Sequence, residues 1–170
     1  MEQRPFEMAE EFHRIFDPRR PAEPTAFSQA EALFRSGFKV EELVEFLYAT
    51  SENDQQQFAE SIQGLHQAID QAQAKIMAKN EPTTDVMVGQ VDALVDLLYF
   101  VYGSFSLMGV DPAPLMAIVH QANMGKLFPD GKPHYDPVTN KVLKPANWQQ
   151  DFAPEAKLAQ ALAKQKASRT

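Results

Sequence analysis

Two groups of carboxylates are the residues of this chain whose types and spacing could do chemistry. The segment EELVE contains Glu41, Glu42 and Glu45, and the segment VDALVD contains Asp92 and Asp96. Residues four apart lie on one face of a helix, so the two aspartates would stack. The three glutamates would span about a third of a turn, at 3.6 residues per turn. The spacing therefore predicts two helices, each with a confined acidic face.

The helix that carries the aspartates would be apolar over most of its circumference, which is typical of a buried helix. Its apolar residues are Leu94, Val95, Leu97, Leu98, Phe100 and Val101. Burial of an unpaired carboxylate is costly, and neighbouring carboxylates raise each other's pKa. A divalent cation would supply the missing charge, because Mg²⁺ prefers oxygen ligands and leaves room for phosphate oxygens. If the two acidic faces meet, they predict a Mg²⁺ site, with Mn²⁺ as the alternative ion.

The same carboxylates have an interpretation without a metal. The three glutamates would then face water, and the two aspartates would cap a helix or pair with arginine and lysine. A di-iron carboxylate bundle needs a Glu-x-x-His pair on each of two helices. Only Glu10 and His13 have that spacing, which argues against a di-iron protein.

The composition predicts a soluble protein with one domain. The chain has 170 residues, 44% hydrophobic and 23% charged, with a formal net charge of -7 and no cysteine. The negative charge argues against nucleic-acid binding, which needs a basic patch, and the lack of cysteine excludes disulfides and thiolate zinc sites. The N-terminus lacks the apolar segment of a signal peptide, and the longest apolar run, Leu97 to Val101, is too short to span a bilayer. We expect a cytoplasmic protein with no membrane partner, and residues 1–5 and 154–170 peripheral to its single domain.

Helical periodicity runs through most of the chain and predicts an all-α bundle. Helices are expected over residues 7–16, from Ser28 with an interruption at Gly37, and over 40–49, 51–80, 85–108, 111–125 and 153–168. Thr50 or Ser51 is the expected N-cap of the fourth of these helices. The stretch from Leu127 to Trp148 is punctuated by Pro and Gly and is predicted to be a loop. No segment shows the alternation typical of a strand.

The long helix predicted for residues 51–80 is polar and rich in Gln and Ala. Its apolar residues form a narrow stripe of Phe58, Ile62, Leu65, Ile69, Ala72 and Ile76. A stripe this narrow is typical of a helix seam rather than of a monomer core. We therefore expect a helical hairpin arm or a dimer surface, and a homodimer or a higher homo-oligomer.

The order of these segments resembles a known family. EELVE, followed after a long polar helix by DALVDLLYFVYG, resembles the E-E-x-x-E and E-x-x-D signature of the MazG-like all-α nucleoside triphosphate pyrophosphohydrolases. This superfamily includes dimeric dUTPases and phosphoribosyl-ATP pyrophosphohydrolase. HQANMGK, DGK and LKPANW resemble a subgroup of it, so the resemblance spans roughly residues 12–148. The chain departs from the signature at one position, where Ala93 replaces a glutamate and Asp92 stands beside it.

The resemblance implies roles for the carboxylates. Glu42, Glu45 and Asp96 would bind the metal, and Asp92 would be a fourth ligand in place of the missing glutamate. Glu41 would bind a second ion or orient the attacking water. The implied reaction is hydrolysis between the α and β phosphates of a nucleoside triphosphate or related nucleotide, giving a monophosphate and pyrophosphate for nucleotide-pool house-cleaning.

The resemblance also implies substrate contacts outside the two acidic segments. Asn123 would contact the nucleotide or a metal-linked carboxylate, and Lys126 a phosphate. The alternative for both is a helix C-terminus with a lysine that complements the dipole. Lys144 would close over phosphates, with a solvated lysine as the alternative, and Tyr99 would flank the base or be a buried core residue. Ala93 leaves a further alternative open, in which the chain is a non-catalytic helical nucleotide-binding or dimerisation module.

Overall fold

The computed structural model of this chain describes residues 4–168, and their regular secondary structure is helical. The helices are α1 (Pro5–Phe16), α2 (Gln29–Thr50), α3 (Gln55–Lys79), α4 (Val86–Met108), α5 (Ala113–Met124), α6 (Trp148–Asp151) and α7 (Glu155–Ala167). An isolated antiparallel bridge joins Tyr135 to Val142 in the loop after α5. The predicted all-α class is therefore confirmed for the described residues. The predictions for residues 1–3 and 169–170, which belong to the two peripheral tails, lie outside them.

One compact unit comprises Glu23–Val95 and is built on a helical hairpin. Helix α2 packs against α3, and the rings of Tyr48 and Phe58 meet edge to face at 5.1 Å. The segment before α2 is held to α4 by Gln90, whose side-chain amide donates to the Phe27 carbonyl at 3.0 Å and accepts from the Phe27 N–H at 2.9 Å. The predicted hairpin arm is thus present.

The other unit contains α1, the second part of α4 and everything from α5 onward. Helix α5 packs against both α1 and α7. The core of this unit consists of Met8, Phe16, Leu115, Ala122 and Trp148, which are all buried. The amide of Gln165 in α7 pairs with the backbone N–H and carbonyl of Asp111, both at 2.8 Å. The C-terminal helix is therefore tied to the turn between α4 and α5.

Two local predictions are wrong. Helix α2 runs without a break through Gly37, because a single glycine costs a helix only about 1 kcal/mol. The N-cap of α3 is Asp54, whose carboxylate accepts from the N–H groups of Gln56 and Gln57, rather than Thr50 or Ser51. Ser51 instead ends α2 and is buried.

Helix α4 begins one residue later than predicted and ends at Met108 as predicted, and Gly109 follows it with a φ of 67°. The prediction that it is buried is wrong for the single chain, because none of its residues is buried. By length and composition alone it is also the one helix, among the described residues, that could cross a membrane. The shortness of the run Leu97 to Val101 therefore no longer argues against a membrane span, because the whole helix is long and apolar enough. The absence of a membrane partner stays a prediction.

Candidate functional site

The three glutamates of EELVE lie in the second half of α2. Helix α2 begins at the Ser28 cap, whose hydroxyl accepts from the Glu31 N–H at 3.2 Å, and continues to Thr50. Glu41, Glu42 and Glu45 are exposed in this chain. Their spacing on a regular helix gives the confined acidic face that the sequence predicts.

The two aspartates of VDALVD lie in the middle of α4. Asp92 and Asp96 are both exposed and are separated by one helical turn. Asp92 belongs to the unit that also carries the α2 glutamates, whereas Asp96 belongs to the other unit. Position 93, where the family signature has glutamate, is occupied by Ala93, which is also exposed.

The described residues contain no ready-made group of metal ligands. Across residues 4–168, no three carboxylate or imidazole side chains lie close enough together to hold a metal ion. This holds even for Glu41, Glu42, Glu45 and Asp92, which all belong to the compact unit Glu23–Val95. The donor chemistry suits Mg²⁺ or Mn²⁺, and the assignment of these residues as metal ligands stays a prediction.

Asn123 and Lys126 meet at the end of α5. The Lys126 ammonium donates to the Asn123 side-chain oxygen at 2.7 Å, and both residues are half-buried. The helix ends at Met124, with Gly125 as its C-cap. The roles of Asn123 and Lys126 toward a nucleotide stay predictions. Glycine is needed here, because a Cβ at position 125 would lie 2.2 Å from the ring of Phe152.

Lys144 lies beside the same end of α5. Its ammonium sits 3.9 Å from the centroid of the Trp148 ring, and the Trp148 indole donates to the carbonyl of Ala122 at 2.8 Å. Trp148, which is buried, thus joins Lys144 to the residue that directly precedes Asn123 in α5. A cation over an indole face is attracted by the ring quadrupole. Lys144 is nevertheless exposed, and its role over phosphates stays a prediction.

Tyr99 is 76% exposed on α4. The interpretation of Tyr99 as a buried core residue is therefore wrong for the single chain. It follows Asp96 by three residues and so lies on the acidic side of the helix. Its predicted role beside a nucleobase stays a prediction.

The sequence did not indicate how the loop after α5 is fixed. The hydroxyl of Tyr135 donates to the carbonyl of Phe16 at 2.6 Å, which ties the loop to the end of α1. Burial, and then the charge of Asp17, raise the pKa of Tyr135. In the same loop the Asp136 carboxylate accepts from the N–H groups of Val138 and Thr139, and the Thr139 bonds are the main reason why its pKa is lowered. The DPVTN sequence was a recognisable turn signal, but the partner of Tyr135 lies far away in the chain.

A second contact that sequence spacing could not reveal joins α1 to α5. His120 is largely buried, and its Nε2 lies 3.2 Å from a carboxylate oxygen of Glu11. This contact gives His120 a structural role between α1 and α5. A depression of about 400 Å³ lies at the turn from α4 to α5, lined by Tyr102, Phe105, Ser106 and residues 109–112. It contains none of the predicted site residues.

Comparisons with known proteins agree with the order of the motifs. The family described as phosphoribosyl-ATP pyrophosphohydrolase matches residues 9–123, which include both acidic segments and end at Asn123. A crystal structure from Exiguobacterium sp. 255-15, provisionally assigned as an NTP pyrophosphohydrolase, is 35% identical with a TM-score of 0.87, and the match covers 100% of both chains. No curated protein shows significant similarity to this chain.

Proposed function

Because the chain belongs to the phosphoribosyl-ATP pyrophosphohydrolase family, we propose that it hydrolyses a nucleoside triphosphate or related nucleotide between the α and β phosphates. The products would be a nucleoside monophosphate and pyrophosphate. The family and the structural neighbour support nucleotide pyrophosphohydrolase activity in general. The dependence on Mg²⁺ or Mn²⁺ and the choice of a triphosphate are our proposals.

One observation carries this proposal. Both acidic segments fall, in the expected order, inside the matched residues 9–123, and each lies on its own helix. Phosphoryl transfer needs charge neutralisation and an aligned nucleophile rather than covalent chemistry by the protein. A divalent ion held by Glu42, Glu45, Asp92 and Asp96 would supply that neutralisation.

The residues of this chain then have separate tasks. Glu41 is proposed to accept a hydrogen bond from the attacking water and to fix its direction, as a positioned carboxylate can. Lys126 and Lys144 are proposed to bind the phosphates of the substrate. Lys126 follows α5 and donates to Asn123, and Lys144 lies over the ring of Trp148, whose indole is bonded to α5. Tyr99 and Asn123 are proposed to contact the nucleotide.

A panel of nucleotides tests this function. The purified protein should release pyrophosphate from at least one canonical, deoxy or damaged nucleoside triphosphate in the presence of Mg²⁺ or Mn²⁺. Removal of the metal with EDTA should abolish the release, and re-addition should restore it. A full panel without turnover, with metal present, would sink the proposal.

A non-catalytic module is the second candidate, and Ala93 is the observation that favours it. Such a protein would bind a nucleotide and metal without releasing pyrophosphate. Calorimetric titration with a non-hydrolysable nucleotide, run beside the turnover assay, separates the two candidates.

We further propose that the protein acts in the cytoplasm as a homodimer or higher homo-oligomer, without a nucleic-acid or membrane partner.

A further inference from the structure

We propose that Arg35 and Lys39 of α2 form a binding site for the β and γ phosphates of the substrate, which depart as pyrophosphate. This inference rests on the proposed function for its reaction. It adds a site that lies outside the two acidic segments and outside the end of α5.

The first observation is that two cations converge on one face of α2. Arg35 and Lys39 are four residues apart on this helix, so their side chains are neighbours. The Lys39 ammonium reaches back along the helix and donates to the carbonyl of Arg35 at 3.0 Å. Burial, and then the charge of Arg35, lower the pKa of Lys39. The two charges are therefore close enough to repel each other.

The second observation is the direction in which the guanidinium is turned. The Arg35 guanidinium carbon lies 5.6 Å from the centroid of the Phe38 ring, and the rings of Phe34 and Phe38 meet edge to face at 5.1 Å. Phe38 precedes Glu42 by four residues and Glu45 by seven, so it lies on the same face of α2 as these glutamates. The contact with Phe38 therefore turns the charge of Arg35 toward the acidic face.

The third observation is the distance between the cations and the proposed metal ligands. Helix α2 is continuous from Gln29 to Thr50. At a rise of 1.5 Å per residue, the Cα atoms of Lys39 and Arg35 precede that of Glu42 by about 4.5 Å and about 10.5 Å along the helix axis. A divalent ion on Glu42 would also bind phosphate oxygens. The next phosphate groups of the same substrate would then be within reach of the two long cationic side chains.

The charge of the substrate favours its β and γ phosphates as the occupant. Hydrolysis breaks the P–O bond between the α and β phosphates, and water gives a hydroxyl group to one product and a proton to the other. The α phosphate is esterified on both sides, so the β and γ phosphates together carry more negative charge. A polyanion between Arg35 and Lys39 would replace their mutual repulsion by attraction.

Ion pairs along the helix are the alternative role for these cations. Glu31 precedes Arg35 by four residues, and Glu42 follows Lys39 by three, which are the spacings of pairs on a helix surface. Such pairs stabilise a helix only weakly, and a metal ion on Glu42 would compete for its carboxylate. A purely structural pair predicts that the loss of either cation has no effect on the binding of pyrophosphate.

Titration calorimetry with the Mn²⁺ complex of inorganic pyrophosphate tests the site directly. Arg35→Gln and Lys39→Gln should each raise the dissociation constant by at least about tenfold, because each removes a hydrogen bond to a charged group. Lys39→Arg keeps the positive charge and should keep the affinity. Lys164→Gln is the matched control, because it removes an exposed lysine from the last turn of α7, and it should bind as the wild type does.

Product inhibition shows on which side of the broken bond the cations act. With a triphosphate that the wild-type protein hydrolyses, pyrophosphate should inhibit Arg35→Gln and Lys39→Gln at least about tenfold less strongly than the wild type. The nucleoside monophosphate product should inhibit all three proteins equally. The reverse pattern would assign the two cations to the α phosphate and overturn the inference.

The inference and the proposed function fail in different ways. If both glutamine variants bind pyrophosphate as tightly as the wild type, or if the wild type binds none, the inference is overturned and the proposed hydrolysis still stands on the nucleotide panel. If the wild type binds pyrophosphate through Arg35 and Lys39 but hydrolyses no nucleotide of the panel, the proposed function fails and the phosphate site on α2 is supported.

Discussion

At the scale of single residues, the acidic pair of α4 is the part of the site that departs from the family signature. Asp92 and residue 93 precede Asp96 by four and three residues, so both lie on the same helix face as Asp96. We expect Asp92→Ala to lower kcat/KM by about 100-fold, since the loss of one charged group at the reacting centre costs roughly 3 kcal/mol. The helical circular dichroism should not change.

The double variant Asp92→Ala with Ala93→Glu tests whether Asp92 stands in for the missing glutamate. It restores the signature, so turnover should return to a large part of the wild-type value. If Asp92→Ala alone keeps full activity, Asp92 has no part in the site and Asp96 is the only carboxylate that α4 contributes.

Tyr135 makes a prediction about stability and its pH dependence. Tyr135→Phe removes the bond to the Phe16 carbonyl and should lower the free energy of unfolding by about 1 kcal/mol, measured by urea denaturation. Because burial raises the pKa of Tyr135, the folded state disfavours the phenolate. The wild-type protein should keep this stability below the unfolded pKa of about 10 and lose it as the pH rises through the folded pKa.

Tyr135→Phe should lack this alkaline loss. The matched control is Tyr48→Phe, which keeps the ring contact with Phe58 and should unfold at the same urea concentration as the wild type. Equal unfolding curves for Tyr135→Phe and Tyr48→Phe would show that the bond to Phe16 adds nothing to stability.

At the scale of elements, the end of α5 depends on a close approach that only glycine permits. Gly125→Ala would place a Cβ 2.2 Å from the Phe152 ring and should destabilise the protein by about 1 to 3 kcal/mol, as overpacking does. Urea denaturation gives the value. Gly64→Ala in α3 is the control, because its Cβ would meet nothing within 4 Å and alanine favours a helix by about 1 kcal/mol.

The elements themselves were largely predictable, because their signals are local. Helix α2 begins at the capping side chain of Ser28. Helix α4 is a periodic apolar run that ends just before a glycine. The helix break predicted at Gly37 does not occur, because packing and the neighbouring residues outweigh the low helix propensity of one glycine. The N-cap of α3 was misplaced because Ser51 and Asp54 are both good caps, and only the structure shows that the carboxylate of Asp54 is used.

At the scale of the whole molecule, the sequence predicted the carboxylates but not where their partners come from. Periodicity shows that α4 is apolar, and it cannot show whether the covering surface belongs to the same chain. The structure adds that residues such as Leu98 and Tyr99 are exposed, so this chain by itself leaves them uncovered. The same limit applies to Lys144, because a contact with Trp148 depends on how the loop folds.

An exposed apolar seam on α4, formed by Val91, Leu94, Leu98 and Val101, makes the last prediction. If the proposed homodimer buries this seam, Leu98→Glu places a carboxylate in the interface, where burial of an unpaired charge costs several kcal/mol. A twofold dimer contains the substitution twice. The dimer dissociation constant should therefore rise by at least about a thousandfold, and pyrophosphate release should fall with it, as measured by light scattering and turnover on the same samples.

Val138→Glu is the matched control, because Val138 is 90% exposed in the loop after α5 and the substitution adds the same charge. It should leave both the dimer and the turnover unchanged. A Leu98→Glu protein that stays dimeric and active would show that the seam is not the interface. A protein whose dimer survives but whose turnover is lost would place Leu98 in the site itself, which the wheel position opposite Asp96 argues against.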